Sequence, residues 1–483
     1  MRLSVLLSEI SDISVKNFFD REISRICIDS RECRRGDLFV AIKGSRYNAE
    51  DFFEEVYRCG TRVFLMSEKS EFPDDATIIF SKNPRKTLAE LCAKLCGNPE
   101  KKMRLIGITG TKGKTTTAVI LSKILESAGV KNICVGTLGV LGFKLEKFAN
   151  TTPDPTILFP LLAAALADGI SCGILEVSSQ ALKDYRVYGI RFDTVVFTGL
   201  GYDHIGDVEH RDFTDYMYSK RKLFTDYKAT TAVVNSDDAY SDYMSSGVSN
   251  VIKCGSSFDS DFRITAFTDS KLGSVFYLSG TKIVSPLPAM YNARNTAIAI
   301  AVAKEITGLD ISCLSSAVRE ARVLGRFEYK ELLGRNIIVD YAHNRDSFIE
   351  ISKIARRMFS GRLVGVFGSV GERSFGRRRE LAVAAECLFD FTVITEDTVN
   401  REPVISVCAD IYSHFSDKTL AKIIPTRLEA IKYAINSTKN GDTILLLGKG
   451  QEKNIRVEGV LGEFSDSELI DMILLADKSF GRV

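Results

Sequence analysis

Over the first hundred residues, short apolar runs, ISRICID, DLFVAIKG, TRVFLMS and ATIIFS, alternate with polar or helical stretches such as AEDFFEEVYRCG. Runs of that length, rich in β-branched and aromatic residues, predict strands, and their spacing predicts a small α/β domain over residues 1–100. At residue 103 the apolar run MRLIGIT leads through a glycine-rich stretch straight into KTTTAVILSKILESAG, a helical pattern that Gly129 stops. CGILEVSS, FDTVVFTGL and TAVVNSDD then repeat the strand signal with helical segments between them. This predicts a central domain over residues 101–325 with a mostly parallel sheet covered on both faces. After GRFE the alternation resumes with NIIVDYA, RLVGVFGS, DFTVITED and DTILLLGKG. Amphipathic SFIEISKIARRMF and RLEAIKYAINS lie between them, which predicts a doubly wound third domain over residues 326–483. The longest apolar run, ILFPLLAAALADGI, is interrupted by Pro160 and Asp168 and is too short to span a bilayer, so it predicts a buried helix.

Composition changes this picture little. A length of 483 residues suits about three domains of ordinary size. A formal net charge of +2 argues for neither nucleic acid nor an anionic membrane surface, so the ligand has to be sought in local sites; no membrane insertion is expected. The opening MRLSVLLSEISDISVKNFF has early acidic groups and no long apolar core before a small-residue cleavage site, and does not read as a secretory leader. The 11 cysteines lack paired CxxC spacing, and Cys92 and Cys96 lie one helical turn apart without a second pair; reduced core thiols in a cytoplasmic protein are expected rather than a zinc site.

The candidate chemistry begins in IGITGTKGKTTT. Counting back from Gly113, Lys114 and Thr115 puts Ile108 where the usual phosphate loop has its first glycine, so this loop is one residue tighter. Gly110 and Gly113 let backbone N–H groups approach phosphate oxygens, and the helix that follows points its positive end at them. Lys114 can reach the β- and γ-phosphates, and Thr115 offers a hydroxyl for Mg2+. Glu176, ending CGILEVSS, and His204, after FDTVVFTGL, stand at strand ends where a magnesium nucleotide needs further hard ligands.

These words belong to a longer series: NTTPD from Asn150, EVSSQAL from Glu176, YDH ending at His204, SKRKLF from Ser219, NSDD from Asn235, YNARN from Tyr291, GRFE from Gly325, DYAHN from Asp340 and GKGQE from Gly448. In order and spacing the series resembles the Mur ligases, in particular the type that adds the third amino acid to the peptidoglycan precursor. DSRECRRGDLFVAIKG from Asp29 resembles that type's uridine-nucleotide domain, which folate-adding relatives lack. The resemblance implies three domains: a uridine-nucleotide domain, a central ATPase domain and a Rossmann-like amino-acid domain. The reaction it implies is ATP-dependent amide formation through an acyl phosphate, in cell-wall synthesis in the cytoplasm, by a chain expected to be a monomer. The partners would be UDP-N-acetylmuramoyl dipeptide and a diamino acid.

By the same resemblance Gly110, Thr111, Lys112, Gly113, Lys114, Thr115 and Thr116 cradle ATP, and Asn295, Arg326, Asp340 and His343 complete its site. Thr115, Glu176, His204 and Lys220 hold Mg2+, and Lys114, Glu176, His204 and Lys220 are the catalytic group. Lys220 does so as a carbamate (N6-carboxylysine) formed with CO2, since a bare ammonium beside the metal would repel it. Ser30, Thr151, Thr152, Ser178 and Arg186 contact the muramoyl dipeptide, and Arg378, Asp397, Asn400, Gly448 and Glu452 the incoming amino acid. Diaminopimelate-adding enzymes carry Asp-Asn-Pro-Arg at the stretch that here reads TEDTVNREP. Asn400 stands where their carboxylate-binding arginine would be, and Arg401 is one place off, so lysine is the expected substrate, with diaminopimelate or another diamino acid as the alternative. Gln451 replaces a usual histidine in GKGQE, Gly199 a usual asparagine before YDH, and Arg345 a common proline after DYAHN; none of these removes a phosphate or metal group. Two competing functions are a related ligase such as folylpolyglutamate synthetase, and a nucleotide-switched binding module that joins nothing.

Overall fold

A computed structural model describes residues 1–44, 48–67, 72–143, 148, 150–202, 209–372, 375–452, 454–457 and 460–479, with backbone alone for 454–457, 460–463 and 476–479. It confirms the α/β class, with three main sheets and a small hairpin at Asn454–Val457 and Val460–Glu463. The first sheet has five strands in the order Ile13–Lys16, Thr77–Ser81, Val63–Met66, Asp37–Val40, Arg25–Cys27, all parallel except the first.

The second sheet has ten strands. Its parallel centre runs Asn250–Gly255, Thr231–Asn235, Thr194–Phe197, Arg104–Thr109, Cys172–Glu176, Asn132–Gly136, and Gly139–Leu141 closes that edge in the antiparallel sense. These strands read as unbroken apolar runs because helices cover both faces, and Ile106, Ile108, Ile174, Val195 and Val233 are fully buried. Arg104–Thr109 lies between Thr194–Phe197 and Cys172–Glu176, with Ile108 level with Glu176 and Thr109 level with Phe197. Loops from three neighbouring strands therefore leave the same end of the sheet side by side. Three further strands, Phe262–Ser270, Gly273–Leu278 and Thr281–Ser285, extend the opposite edge.

The third sheet has six strands, in the order Glu328–Leu332, Arg335–Asp340, Thr443–Leu447, Leu363–Phe367, Phe391–Ile394, Ala421–Ile423; only Glu328–Leu332 is antiparallel. Its two faces carry separate cores, one around Phe348, Phe367 and Phe389 and one around Ile431, Leu446 and Ile470. Among the described residues no helix is long and apolar enough to cross a membrane. ILFPLLAAALADGI forms the helix Pro155–Ala167, which buries Leu158, Phe159, Leu161 and Leu162 despite Pro160.

Compactness divides the chain into two units where three segments were expected. The first comprises Met1–Ala266, Phe276–Ile283 and Arg294–Ala321, and the second Phe267–Val275, Val284–Ala293 and Arg322–Val483. The expected boundary near residue 100 thus separates two sheets within the first unit.

Candidate active site

In the first unit the buried strand Arg104–Thr109 delivers the chain into a turn that only glycine fits at two points. Gly110 has φ 151° and Gly113 φ 88°, both on the side of the backbone map that L side chains avoid. A side chain at Gly110 would collide with Thr198, and a Cβ on Gly113 would lie 2.5 Å from Asn295 Oδ1. Thr111 ties the turn to its neighbours: its N–H donates to Gly199 O at 2.8 Å, and its hydroxyl accepts from Gly201 N at 2.9 Å and Tyr216 OH at 3.0 Å. The helix Lys114–Ser127 starts at Gly113 with no acidic residue in its own first turn, which leaves its N–H groups and positive end directed at the loop. Lys114 Nζ folds over the loop, donating to Gly110 O at 2.8 Å and Thr111 O at 3.2 Å. Thr115 and Thr116 are buried on the first helical turn, and Lys112 is exposed at the tip.

Beside the loop stands a buried carboxylate. Glu176 Oε2 accepts from Thr115 Oγ1 at 2.8 Å and Thr137 Oγ1 at 3.2 Å, and Oε1 accepts from Thr137 N at 3.0 Å. Burial raises its pKa, opposed by the Lys114 charge and the hydrogen bonds from Thr115 and Thr137. Hydroxyls and a carboxylate so gathered form an oxygen-only donor set that suits Mg2+. The expected dipeptide residues border it. Thr137 and Thr151 hydroxyls lie 3.2 Å apart, and Thr152 Oγ1 donates to Glu176 O at 2.7 Å and accepts from Ser178 N at 3.1 Å. Arg186 donates to Thr152 O at 3.0 Å and pairs with Asp154 and Asp184. Ser30 is more distant in sequence, opening the turn Ser30–Glu32.

Lys220, on the helix Phe213–Thr225, is 2% exposed. Its Nζ donates to Gly110 O at 3.0 Å and lies 4.5 Å from the Tyr216 ring centroid, so it reaches the phosphate loop from within the protein. His204 lies outside the described residues. Sequence reasoning passed over Thr137, Tyr216 and His210. His210 is buried, with Nε2 2.9 Å from Ser179 Oγ and Nδ1 3.5 Å from Asp215, and burial lowers its pKa. The one available signal was its place in DVEHRDF, shortly after YDH.

In the second unit Arg326 stacks over Tyr341 at 4.4 Å, and Asp340 accepts from Phe327 N and Ala342 N, both at 2.8 Å. His343 Nδ1 lies 2.9 Å from Tyr341 O, and Tyr341 OH donates to Glu452 at 2.9 Å. Burial raises the Glu452 pKa. Gly448, at φ 102°, sits where a Cβ would come 2.9 Å from Asp397 Oδ2. Lys449, between Gly448 and Gly450, is fully buried, and its ammonium has no hydrogen-bond acceptor among the described residues. Burial lowers its pKa, against the pull of Asp397. Arg378, expected to meet substrate, is 1% exposed; its Nη atoms donate to Glu402 at 2.7 and 2.9 Å and to Asp410 at 3.1 Å, while its Nε has no hydrogen-bond partner among the described residues. Asn400 adopts φ 59° with Nδ2 3.4 Å from Gly371 O, and the Arg401 side chain is exposed.

Residues 108–303 match the Mur ligase middle domain, and 325–450 the Mur ligase, glutamate ligase domain. The UDP-N-acetylmuramoyl-L-alanyl-D-glutamate--2,6-diaminopimelate ligase of Aquifex aeolicus (strain VF5) is 33% identical over 478 residues, covering 96% of each chain. The protein of the same name from Bacillus velezensis is 32% identical, covering 97% of this chain and 98% of its own. A solved structure of a 2,6-diaminopimelate ligase superposes with a TM-score of 0.64 at 25% identity, covering 94% of this chain and 95% of its own. With both domain models matched in order and a third of the residues shared along nearly the whole length, the chain belongs to the Mur ligase family of ATP-dependent ligases.

Proposed function

We propose that this protein joins a diamino acid to the free carboxylate of UDP-N-acetylmuramoyl-L-Ala-D-Glu, using one ATP per amide bond. The observation that carries the reading is the oxygen cluster of Thr115, Thr137 and Glu176 beside a glycine loop whose Gly110 carbonyl is also held by Lys220. A carboxylate is a poor electrophile. One of its oxygens attacks the γ-phosphorus and ADP leaves; the amine then attacks the acyl carbon, loses a proton, and phosphate leaves. Thr115 and Glu176 would hold Mg2+, which neutralises charge on the transferring phosphoryl group. The loop N–H groups and Lys114 orient the β- and γ-phosphates, and Thr151, Thr152, Ser178 and Arg186 orient the acceptor. Lys220 adds CO2 through its neutral amine, losing a proton, and so presents one negative charge in place of one positive. At about 5 Å and an effective dielectric near 20, each unit of charge against another is worth roughly 3 kcal/mol, enough to decide whether a second cation is accepted.

For the incoming amino acid, relatives at about one third identity along the whole chain carry diaminopimelate in their names, which outweighs the neutral Asn400 that favours lysine. Arg401 is the group we assign to the distal carboxylate, since its side chain is exposed one residue along the same loop. Amide formation with diaminopimelate, lysine and ornithine side by side tests this. Diaminopimelate should be preferred, and Arg401→Ala should cost it about 1.5–3 kcal/mol, roughly 10- to 150-fold in kcat/KM, while leaving lysine unaffected. Preference for lysine by the unaltered protein would restore the Asn400 reading. Phosphate release that requires both co-substrates distinguishes a ligase from a nucleotide switch.

A further inference from the structure

The N-terminal sheet holds a cluster that the ligase reaction does not use. Cys27 ends the strand Arg25–Cys27, and Cys33 follows the turn Ser30–Glu32. Both thiols donate to one acceptor, the carbonyl oxygen of Asp29, at 3.1 and 3.5 Å. With the Asp37 carboxylate they form the only group of three metal-capable side chains found among the described residues, all buried, with ligand atoms within 4.8 Å of one another. Asp37 is already fixed in place. Arg25 grips it through Nε at 3.2 Å to Oδ1 and Nη2 at 2.6 Å to Oδ2, and Arg34 N donates to Oδ2 at 2.9 Å. Oδ1 therefore has one hydrogen-bond partner and a lone pair to give.

Two S–H groups aimed at one carbonyl oxygen are arranged so that a single divalent cation can take the place of both protons. We propose that Cys27, Cys33 and Asp37, with the Asp29 carbonyl, form a binding site for a divalent ion of the zinc class. The charges close: two thiolates and a carboxylate balance the ion together with the Arg25 guanidinium. Sulfur donors select a borderline-soft ion over Mg2+, and Arg25 orients the carboxylate as outer partners do in such sites. Thiols bind such an ion as thiolates, so binding must expel protons and strengthen as pH rises. The ion would pin both ends of the turn that carries Ser30.

The test uses the full chain, stripped of metal and kept reduced with a phosphine. Cd2+ is titrated while the thiolate-to-metal charge-transfer absorption is followed, and Zn2+ is then added as competitor. One equivalent should saturate the signal with release of about two protons, and Zn2+ should displace it. Cys27→Ser and Cys33→Ser should each lose the signal, Asp37→Asn should weaken binding at least roughly tenfold, and Cys59→Ser and Cys313→Ser should keep it. A measurement on the unaltered chain guards against a variant that does not fold: Zn2+ should slow alkylation of Cys27 and Cys33, mapped by mass, and leave exposed Cys59, Cys313 and Cys387 unchanged. A signal that survives in folded Cys33→Ser, no saturation at one equivalent, or equal alkylation with and without Zn2+ would overturn the site.

Discussion

Lys220 and Glu176 carry opposite formal charges on either side of one loop, and the proposed chemistry turns on changing the sign of the first. Lys220→Ala is expected to lose about 100- to 1,000-fold or more in kcat while keeping its fold, with partial recovery on adding small carboxylic acids that stand in for the carbamate. Full activity without rescue would refute the carbamate. Thr137 offers a finer probe, since Thr137→Val removes one hydroxyl donor to Glu176 and leaves the backbone N–H bond intact. Loss of a hydrogen bond to a charged group is worth about 1.5–3 kcal/mol, so the Mg2+ requirement should rise by roughly tenfold or more, read from the Mg2+ dependence of the initial rate. Glu176 was legible in the sequence because it ends an apolar strand near a phosphate loop. Thr137 was not, because GTLGV carries no spacing that points across a sheet to residue 176.

Among the elements, the strands that meet at the site were the most legible, since parallel strands buried on both faces leave unbroken apolar runs and a glycine loop marks where the first one ends. The strand Phe262–Ser270 escaped because four of its nine side chains are exposed, which dilutes the signal with Thr and Ser. The ion pairs of Arg378 were hidden for a related reason. An arginine in a polar run looks solvated or free to bind, and only the fold brings Glu402 and Asp410 to it. The pairing of neighbouring strands also makes a prediction: Gly136 ends Asn132–Gly136 so close to Glu176 that any Cβ there would collide with the carboxylate. Gly136→Ala should cost about 1–3 kcal/mol of stability and most of the activity, because the carboxylate must move. Gly129→Ala is the control: it sits at φ 80° with open space around its Cβ, and should cost about 1 kcal/mol with activity retained. Equal losses of activity would mean that the Glu176 position is not what Gly136 protects.

Across the whole molecule, the buried ionisable groups pull stability in opposite directions with pH. Burial raises the carboxyls of Glu176 and Glu452 above their usual 4.5, so the folded state holds their protons longer and stability falls as pH rises past that value. His210 has the opposite effect. Burial holds its pKa below 6.5, so on acidification the unfolded chain takes up that proton first, and stability is lost as pH falls from about 6.5 toward the lower folded value. Asp237 adds to the acid limb. It accepts from Ser256, Ser257 and Arg294, and although burial acts against it, these partners bring its pKa down to about 2 from 3.8. Its contribution is present above 3.8 and disappears as pH falls through about 2. Urea midpoints measured from neutral to acid pH should therefore separate the two groups. His210→Gln should flatten the decline that begins near 6.5, whereas Asp237→Asn should be less stable than the unaltered protein at neutral pH, with a gap that starts to close below 3.8 and is gone only once pH has fallen through about 2. A stability gap for Asp237→Asn that stayed constant across that range would mean the aspartate acts through its shape in the turn and not through its charge.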